Sequence, residues 1–166
     1  MPEITPCLWF DDDLEEAMEF YVSLFPNSRI LHTSRYGETL PPGVDRKPGD
    51  LLAAEWALDG RTIRGINGGP AHAGFTETFS LSVATADQAE TDHYWDALIA
   101  GGGRPDRCAW LKDRFGLSWQ IVPNRLMELL SDPDPRRADA ATKAMLSMDK
   151  IVIADLEAAV AAVAAV

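Results

Sequence analysis

Few residues in this chain could do chemistry, and their placement narrows what that chemistry would be. There are three histidines, His32, His72 and His93, and two cysteines, Cys7 and Cys108. His32 falls in an expected strand, His72 in a glycine-rich linker and His93 on an expected helix. Dispersed imidazoles of this kind are ordinarily surface or structural groups, despite a pKa suited to proton transfer. Each cysteine lies inside an apolar, strand-like run, which reads as a buried free thiol and not as half of a disulfide framework. Neither carries the local signature of a covalent nucleophile. Glu55, in a strand between Ala54 and Trp56, is the carboxylate placed to serve as a general base, and its plain rival is a buried acid that is simply paired. Gly101-Gly102-Gly103 follows a helix instead of joining a first strand to one, so it is not the glycine turn of a nucleotide-type cofactor fold.

The elements that position these residues follow from spacing. Residues 4–10 alternate and run into Asp11-Asp12-Asp13, a strand followed by an acid-capped helix. Leu14, Ala17, Met18, Tyr21, Val22 and Phe25 then recur at three and four, one buried helical face, until Pro26-Asn27. Strands are expected at 29–36, Leu51–Leu58 and 61–66, with a proline- and glycine-rich loop at 37–50 and a hairpin turn at Asp59-Gly60. Residues 68–76 form a linker, after which the order begins again. Residues 77–85 alternate, Asp87 caps a second helix, and strands follow at 104–107, 108–112 and 117–122, with Asp113-Arg114-Phe115-Gly116 as a turn. Sliding the sequence by about 74 positions lays Asp13 on Asp87, Phe20-Tyr21 on Tyr94-Trp95 and Leu24 on Leu98. The fold class is therefore α+β: two βαβββ units, 4–67 and 77–123, and a helical tail, 124–166. The tail is expected in two pieces after Asn124–Leu130, with its final Ala/Val stretch frayed.

Composition sets outer limits. A chain of 166 residues, 46% hydrophobic and 25% charged, suits one globular domain. Its net charge of −11 repels phosphate backbones and anionic membranes, which argues against nucleic-acid or membrane partners. Residues 1–6 carry no basic n-region, and no run approaches the roughly 18 apolar residues of a membrane span, so a cytoplasmic address is expected.

Strand alternation predicts which side chains meet a ligand. Thr5, Cys7 and Trp9 share one face of the first strand, opposite Leu8 and Phe10. Thr78, Ser80 and Ser82 oppose Phe79, Leu81 and Val83, which the second helix is expected to cover. Ser118 and Gln120 oppose Leu117, Trp119 and Ile121. Small polar groups beside aromatic rings such as Trp9 and Trp110 make a lining for an organic molecule. Core packing is the competing account of Trp9, Trp56, Trp110 and Trp119, solvent exposure that of Thr78, Ser80 and Ser82. Lys112-Asp113-Arg114 reads as an exposed turn with local charge pairing.

Tandem βαβββ units with acidic caps and an aromatic pair on each helix resemble the vicinal-oxygen-chelate superfamily of glyoxalases, ring-cleaving dioxygenases and bleomycin-resistance proteins. Ile4-Thr5-Pro6-Cys7-Leu8-Trp9-Phe10, Asn67-Gly68-Gly69-Pro70, Tyr94-Trp95-Asp96-Ala97-Leu98 and the long stretch from Trp110 to Pro123 resemble its PhnB-like, demethylubiquinone methyltransferase-like branch, and the tail segment from Ala144 to Leu156 is similar to that branch as well. The resemblance implies curved, mainly antiparallel half-barrel sheets enclosing a cleft, in many members completed by a second chain, hence a homodimer. It also implies metal-ligand positions on the first, fourth, fifth and eighth strands. These fall here on Thr5, on Gly65 or Asn67, on Thr78 and on Gln120. Neutral hydroxyl and amide oxygens are poor ligands for zinc, nickel or iron, so neither a tightly bound metal nor another cofactor is expected. The expected ligand-binding set is Thr5, Cys7, Trp9, Asn67, Thr78, Ser80, Trp110 and Gln120, with Glu55 as the candidate catalytic group. Two functions compete: a metal-independent small-molecule binder, and a lyase, isomerase or dioxygenase using a weakly held divalent metal or Glu55. Methyl transfer as sole activity is disfavoured by the missing glycine turn.

Overall fold

In the computed structural model, which describes residues 2, 4–72 and 74–164, the chain divides into two units, residues 1–74 and 75–166. The first unit runs β1 (Cys7–Phe10), α1 (Leu14–Leu24), β2 (Arg29–Arg35), β3 (Leu51–Leu58) and β4 (Arg61–Asn67), then a 3-10 turn, Pro70–His72. Its sheet has the order β1-β4-β3-β2, with β1 parallel to β4 and the other neighbours antiparallel. The three-and-four spacing on α1 buries Leu14, Ala17, Met18 and Tyr21. They face a sheet that supplies Trp56, itself fully buried. Gly65 makes that contact possible, because a Cβ there would lie 2.4 Å from Leu14 Cδ1 and 2.9 Å from Trp56 Cζ3. Asp59 and Gly60, with φ of 46° and 75°, form the tight hairpin turn between β3 and β4. Arg46 straps the loop before β3 onto the start of α1, its guanidinium meeting Asp12 at 2.9 Å and the Asp11 carbonyl.

The second unit repeats the order as β5 (Ser80–Thr85), α2 (Gln88–Ile99), β6 (Arg104–Pro105), β7 (Trp110–Lys112) and β8 (Ser118–Pro123). Its sheet is β5-β8-β7-β6, with β5 parallel to β8. Asp87 and Glu90 form a reciprocal cap: Asp87 Oδ1 accepts from the Glu90 N–H at 2.9 Å and Glu90 Oε2 from the Ala86 N–H at 2.6 Å. Trp119, Ile121 and Leu111 are buried, as are Tyr94, Trp95 and Leu98 of α2. The turn between β7 and β8 is held from inside. Asp113, 3% exposed, accepts from Phe115 N–H, Leu117 N–H and the Trp119 indole N–H at 2.9, 3.0 and 2.8 Å.

Three helices finish the chain, α3 (Asn124–Leu130), α4 (Pro135–Leu146) and α5 (Ile153–Ala164). Leu126, Leu129, Ala141, Ile151, Leu156 and Val160 make their shared core, which extends to Ala109 and Val122. The Gln88 carboxamide ties the tail to α2, donating to the Ile151 carbonyl and accepting from the Ile153 N–H. The last residues of the Ala/Val stretch expected to fray lie outside the described residues.

The α+β class and tandem order match expectation, but β6 ends at Pro105 and not at residue 107, β7 begins at Trp110 and not at 108, β8 begins at Ser118 and not at 117, and two strands start three residues later than alternation suggested. β1 begins at Cys7 and not at residue 4; β5 begins at Ser80 and not at residue 77. Before β5 the chain turns locally, with the Thr76 and Thr78 hydroxyls 2.6 Å apart, and that local bonding competes with the ladder. No helix among the described residues is long and apolar enough to cross a membrane.

Candidate functional site

Pleating gives each sheet one face under its helix and one turned away from it. In the first unit the helix side takes Leu8, Phe10, Ala54, Trp56 and Gly65. The other side carries a row of partnered residues, Cys7–Arg64–Glu55–His32, one from each strand. Arg64 Nε donates to Glu55 Oε2 at 2.7 Å, so the candidate base is held in an ion pair whose side chains are 55% and 31% exposed. The adjacent row begins with Trp9 and Ile66. The Trp9 ring is fixed on three sides. Its N–H donates to the Gly69 carbonyl at 2.9 Å, it packs with His72 in a T-shaped pair at 4.9 Å between centroids, and a Cβ on Gly68 would fall 2.2 Å from the ring. His72, assigned only to the linker by sequence, thus stands beside a candidate ligand-facing residue.

In the second unit the helix side takes Leu81, Val83, Leu111, Trp119 and Ile121. The opposite side presents two rows, Ser82–Gln120–Trp110 and Ser80–Ser118–Lys112–Arg104. Gln120 Nε2 donates to Ser80 Oγ at 2.9 Å, tying the rows together. Three expected residues, Ser80, Trp110 and Gln120, therefore share one surface. Two others belong with them. The Lys112 side chain is only 12% exposed and meets Glu77 at 2.5 Å. Ser118 is 1% exposed, and its hydroxyl has no hydrogen-bond partner. The expectation of an exposed Lys112-Asp113-Arg114 turn is corrected for all three members: Asp113 is buried, and Lys112 and Arg114 are half-buried. The signal was present in the alternation itself, which sets Lys112 with Trp110 and Ser118 with Gln120.

The remaining expected residues separate. Cys7 and Trp9 share the helix-free side of β1. Thr5 precedes the strand, half-buried, and Thr78 precedes β5, exposed in its turn. Asn67 is 4% exposed and faces the helix: its Oδ1 accepts from the Leu14 N–H at 3.4 Å and its Nδ2 donates to the Asp12 carbonyl at 3.2 Å. It caps α1 from beneath, and the fourth-strand positions that do share a side with Cys7 and Trp9 are Arg64 and Ile66, one residue out of the expected register. Cys7 is exposed and Cys108 half-buried, both free, which corrects the reading of buried thiols. An apolar run on an edge strand still turns alternate side chains outward. Phe79, expected under α2, is 42% exposed because it lies ahead of β5.

Electrostatics differ along the chain. Glu77 is held below the ordinary carboxylate range, chiefly by its hydrogen bond from Lys112. Asp13 is pushed above that range, chiefly by burial and further by Asp11, Glu16 and Asp12. A polar cavity of about 430 Å³ beside α1 is walled by matched charges, including Asp12 with Arg46 and Glu15 with Arg35, each pair at 2.9 Å. The superfamily's metal does not fit this donor set. Among the described residues no three of His, Cys, Asp and Glu come together to hold an ion: the helix-free faces offer hydroxyls, an amide, an indole and an ion-paired carboxylate, and the Cys7 thiol and His32 imidazole stand on opposite edge strands of the first sheet.

Residues 2–122 match the family model described as 3-demethylubiquinone-9 3-methyltransferase. The chain belongs to that family. Within it, the PhnB protein of Bacillus cereus is 32% identical over 74% of this chain and 99% of its own, with a TM-score of 0.64. Protein PA1353 of Pseudomonas aeruginosa shares the fold at 20% identity, over 74% of this chain and 98% of its own, with a TM-score of 0.59. No match is found among curated proteins. The PhnB-like resemblance carried by the stretch from Trp110 to Pro123 is thus that of a family member, and both sheets lie within the family match but for Pro123, the last residue of β8. The helical tail, from Asn124, lies beyond it.

Proposed function

We propose that this PhnB-like protein binds a small organic molecule on the helix-free faces of its sheets, in a cleft completed by a second copy of the chain, without a tightly held transition metal. The observation that carries this reading is the convergence of Ser80, Gln120 and Trp110, with the Gln120–Ser80 hydrogen bond orienting one amide and one hydroxyl beside an indole. Such a surface holds a ligand by stacking and a few directed hydrogen bonds. Trp9, its ring locked against Gly68, Gly69 and His72, is the corresponding aromatic of the first unit. The second copy follows from the family resemblance, in which two chains often share one cleft.

A second reading keeps the scaffold and makes it an enzyme, a lyase, isomerase or dioxygenase, with Glu55 as the base or a weakly bound divalent ion. It is favoured by the row Cys7–Arg64–Glu55–His32. Methyl transfer, named in the family's description, is not adopted as the activity: the β1–α1 connection is Asp11-Asp12-Asp13, three carboxylates where a nucleotide-type cofactor needs a glycine turn. Native mass spectrometry of protein taken directly from cells tests the proposal, with a retained small molecule on a dimer as the expected result. Stoichiometric zinc or nickel in elemental analysis would refute the metal-free part. Turnover abolished by Glu55→Gln would favour the enzyme.

A further inference from the structure

We propose that the row Ser80–Ser118–Lys112–Arg104 is a carboxylate-binding site, and that the ligand is an aromatic carboxylate whose acid group sits on Lys112 and Ser118 and whose ring lies against Trp110. The inference rests on the small-molecule reading above and names the class of molecule.

The row is rich in donors. Cross-strand partnering puts the four residues on the helix-free face, one from each strand of the second sheet. Ser80 accepts from Gln120, which leaves its own O–H to donate. The Ser118 hydroxyl is buried without a partner, an unfavourable arrangement unless something accepts its proton. Lys112, mostly shielded from solvent, carries three N–H donors. Arg104 adds a second positive charge close enough to act on Glu77.

Glu77 marks what the site takes. Its carboxylate meets Lys112 at 2.5 Å, yet its side chain is 58% exposed and belongs to the segment before β5, not to the sheet. A chain of net charge −11 does not attract anions at long range. Local donors must therefore hold one, and here they already hold a carboxylate of the chain itself. A ligand acid displacing Glu77 would gain Lys112 and reach the Ser118 hydroxyl, while Glu77 returned to water at little cost. Trp110 lies two positions from Lys112 on the same strand face, roughly 7 Å along β7, a distance that a ring bearing its acid group spans.

The test is a titration of the full-length protein at low ionic strength with benzoate and, separately, benzyl alcohol, followed by ¹H–¹⁵N correlation spectra. Benzoate is expected to shift the Ser118 and Gln120 amides and the Trp110 indole, and benzyl alcohol to bind much more weakly. Lys112→Met should weaken benzoate about tenfold or more. Glu77→Gln should strengthen it, since the ammonium then has no competing carboxylate. A merely structural Lys112–Glu77 pair would make both substitutions weaken binding. Loss of benzoate affinity in Glu77→Gln, equal binding of the two probes, or no response at these resonances would overturn the proposal. Equal binding at Trp110 removes the carboxylate but leaves the small-molecule reading standing; that reading falls separately if protein from cells retains nothing.

Discussion

The two sheets share one topology and differ in what they do with charge. On the first, Arg64 and Glu55 pair in the open, 55% and 31% exposed, and such pairs contribute about 0–1 kcal/mol because water screens them. On the second, Lys112 is shielded, Ser118 is buried, and the adjoining turn hangs on a buried Asp113 with three donors aimed at it. Identical strand order therefore does not imply equivalent sites: the first face is a solvated charge row beside a locked indole, the second a prearranged set of donors.

The largest test of that contrast is Asp113→Ala. It strips the acceptor from two backbone N–H groups and the Trp119 indole in a buried turn, and should destabilise the second unit by about 3 kcal/mol or more in urea unfolding. Glu55→Ala should cost less than about 1 kcal/mol. Equal losses would erase the distinction. Gly65→Ala comes next: its new Cβ meets Leu14 and the Trp56 ring, and overpacking of this kind costs about 1–3 kcal/mol. Third, Trp9→Ala and Gln120→Ala should each lower affinity for the molecule retained from cells about tenfold while circular dichroism stays unchanged. Unchanged binding in both would mean that the ligand uses the other side of the sheets.

The smallest effects separate the two helix caps. Asp87→Ala should cost about 1 kcal/mol, because its carboxylate accepts from the Glu90 N–H. Asp13 makes no such bond and is crowded by other acids, so Asp13→Asn should raise the melting temperature slightly at neutral pH. The sign follows from the direction of its shift. Folding raises the Asp13 pKa, so keeping it charged is unfavourable at neutral pH, and the penalty vanishes as pH falls through the raised value towards the unfolded one. The advantage of Asn must disappear over the same interval; an advantage that persists in acid would assign it to capping alone.

Much of this is legible in the sequence alone. The Asp-Gly hairpin, the Asp87 cap, the buried stripe of α1 and the limits of β3 and α3 stand where spacing put them. Alternation also set Cys7 apart from Leu8, and Gln120 apart from Trp119. The slip of one residue came in matching strands to the family's positions, where Gly65 or Asn67 was expected and Arg64 and Ile66 are the residues beside Cys7 and Trp9. Sliding by about 74 lays Cys7 on Leu81, yet Cys7 faces away from its helix and Leu81 partners the buried Trp119. The connection into α1 is Asp11-Asp12-Asp13 and that into α2 only Ala86-Asp87, so helices that align leave their strands out of phase. Asn67, expected among the ligand-facing residues, turns to the helix instead, for a related reason: nothing adjacent to it announces that Leu14 and Asp12 will be its partners, more than fifty positions away.

By itself the sequence determined the local and the additive: caps, turns, the alternation of each strand, the net charge, and the family. These depend on neighbours within a few positions, or on sums over the whole chain. Tertiary structure alone decided which polar groups would be buried and with whom. Asn67 went beneath a helix, Asp113 into its own turn, Ser118 out of solvent within the Lys112 row, and Cys7 into the open. Burial is set by strands that meet from distant parts of the chain, and a shift of one residue in their pairing exchanges every inward side chain for an outward one.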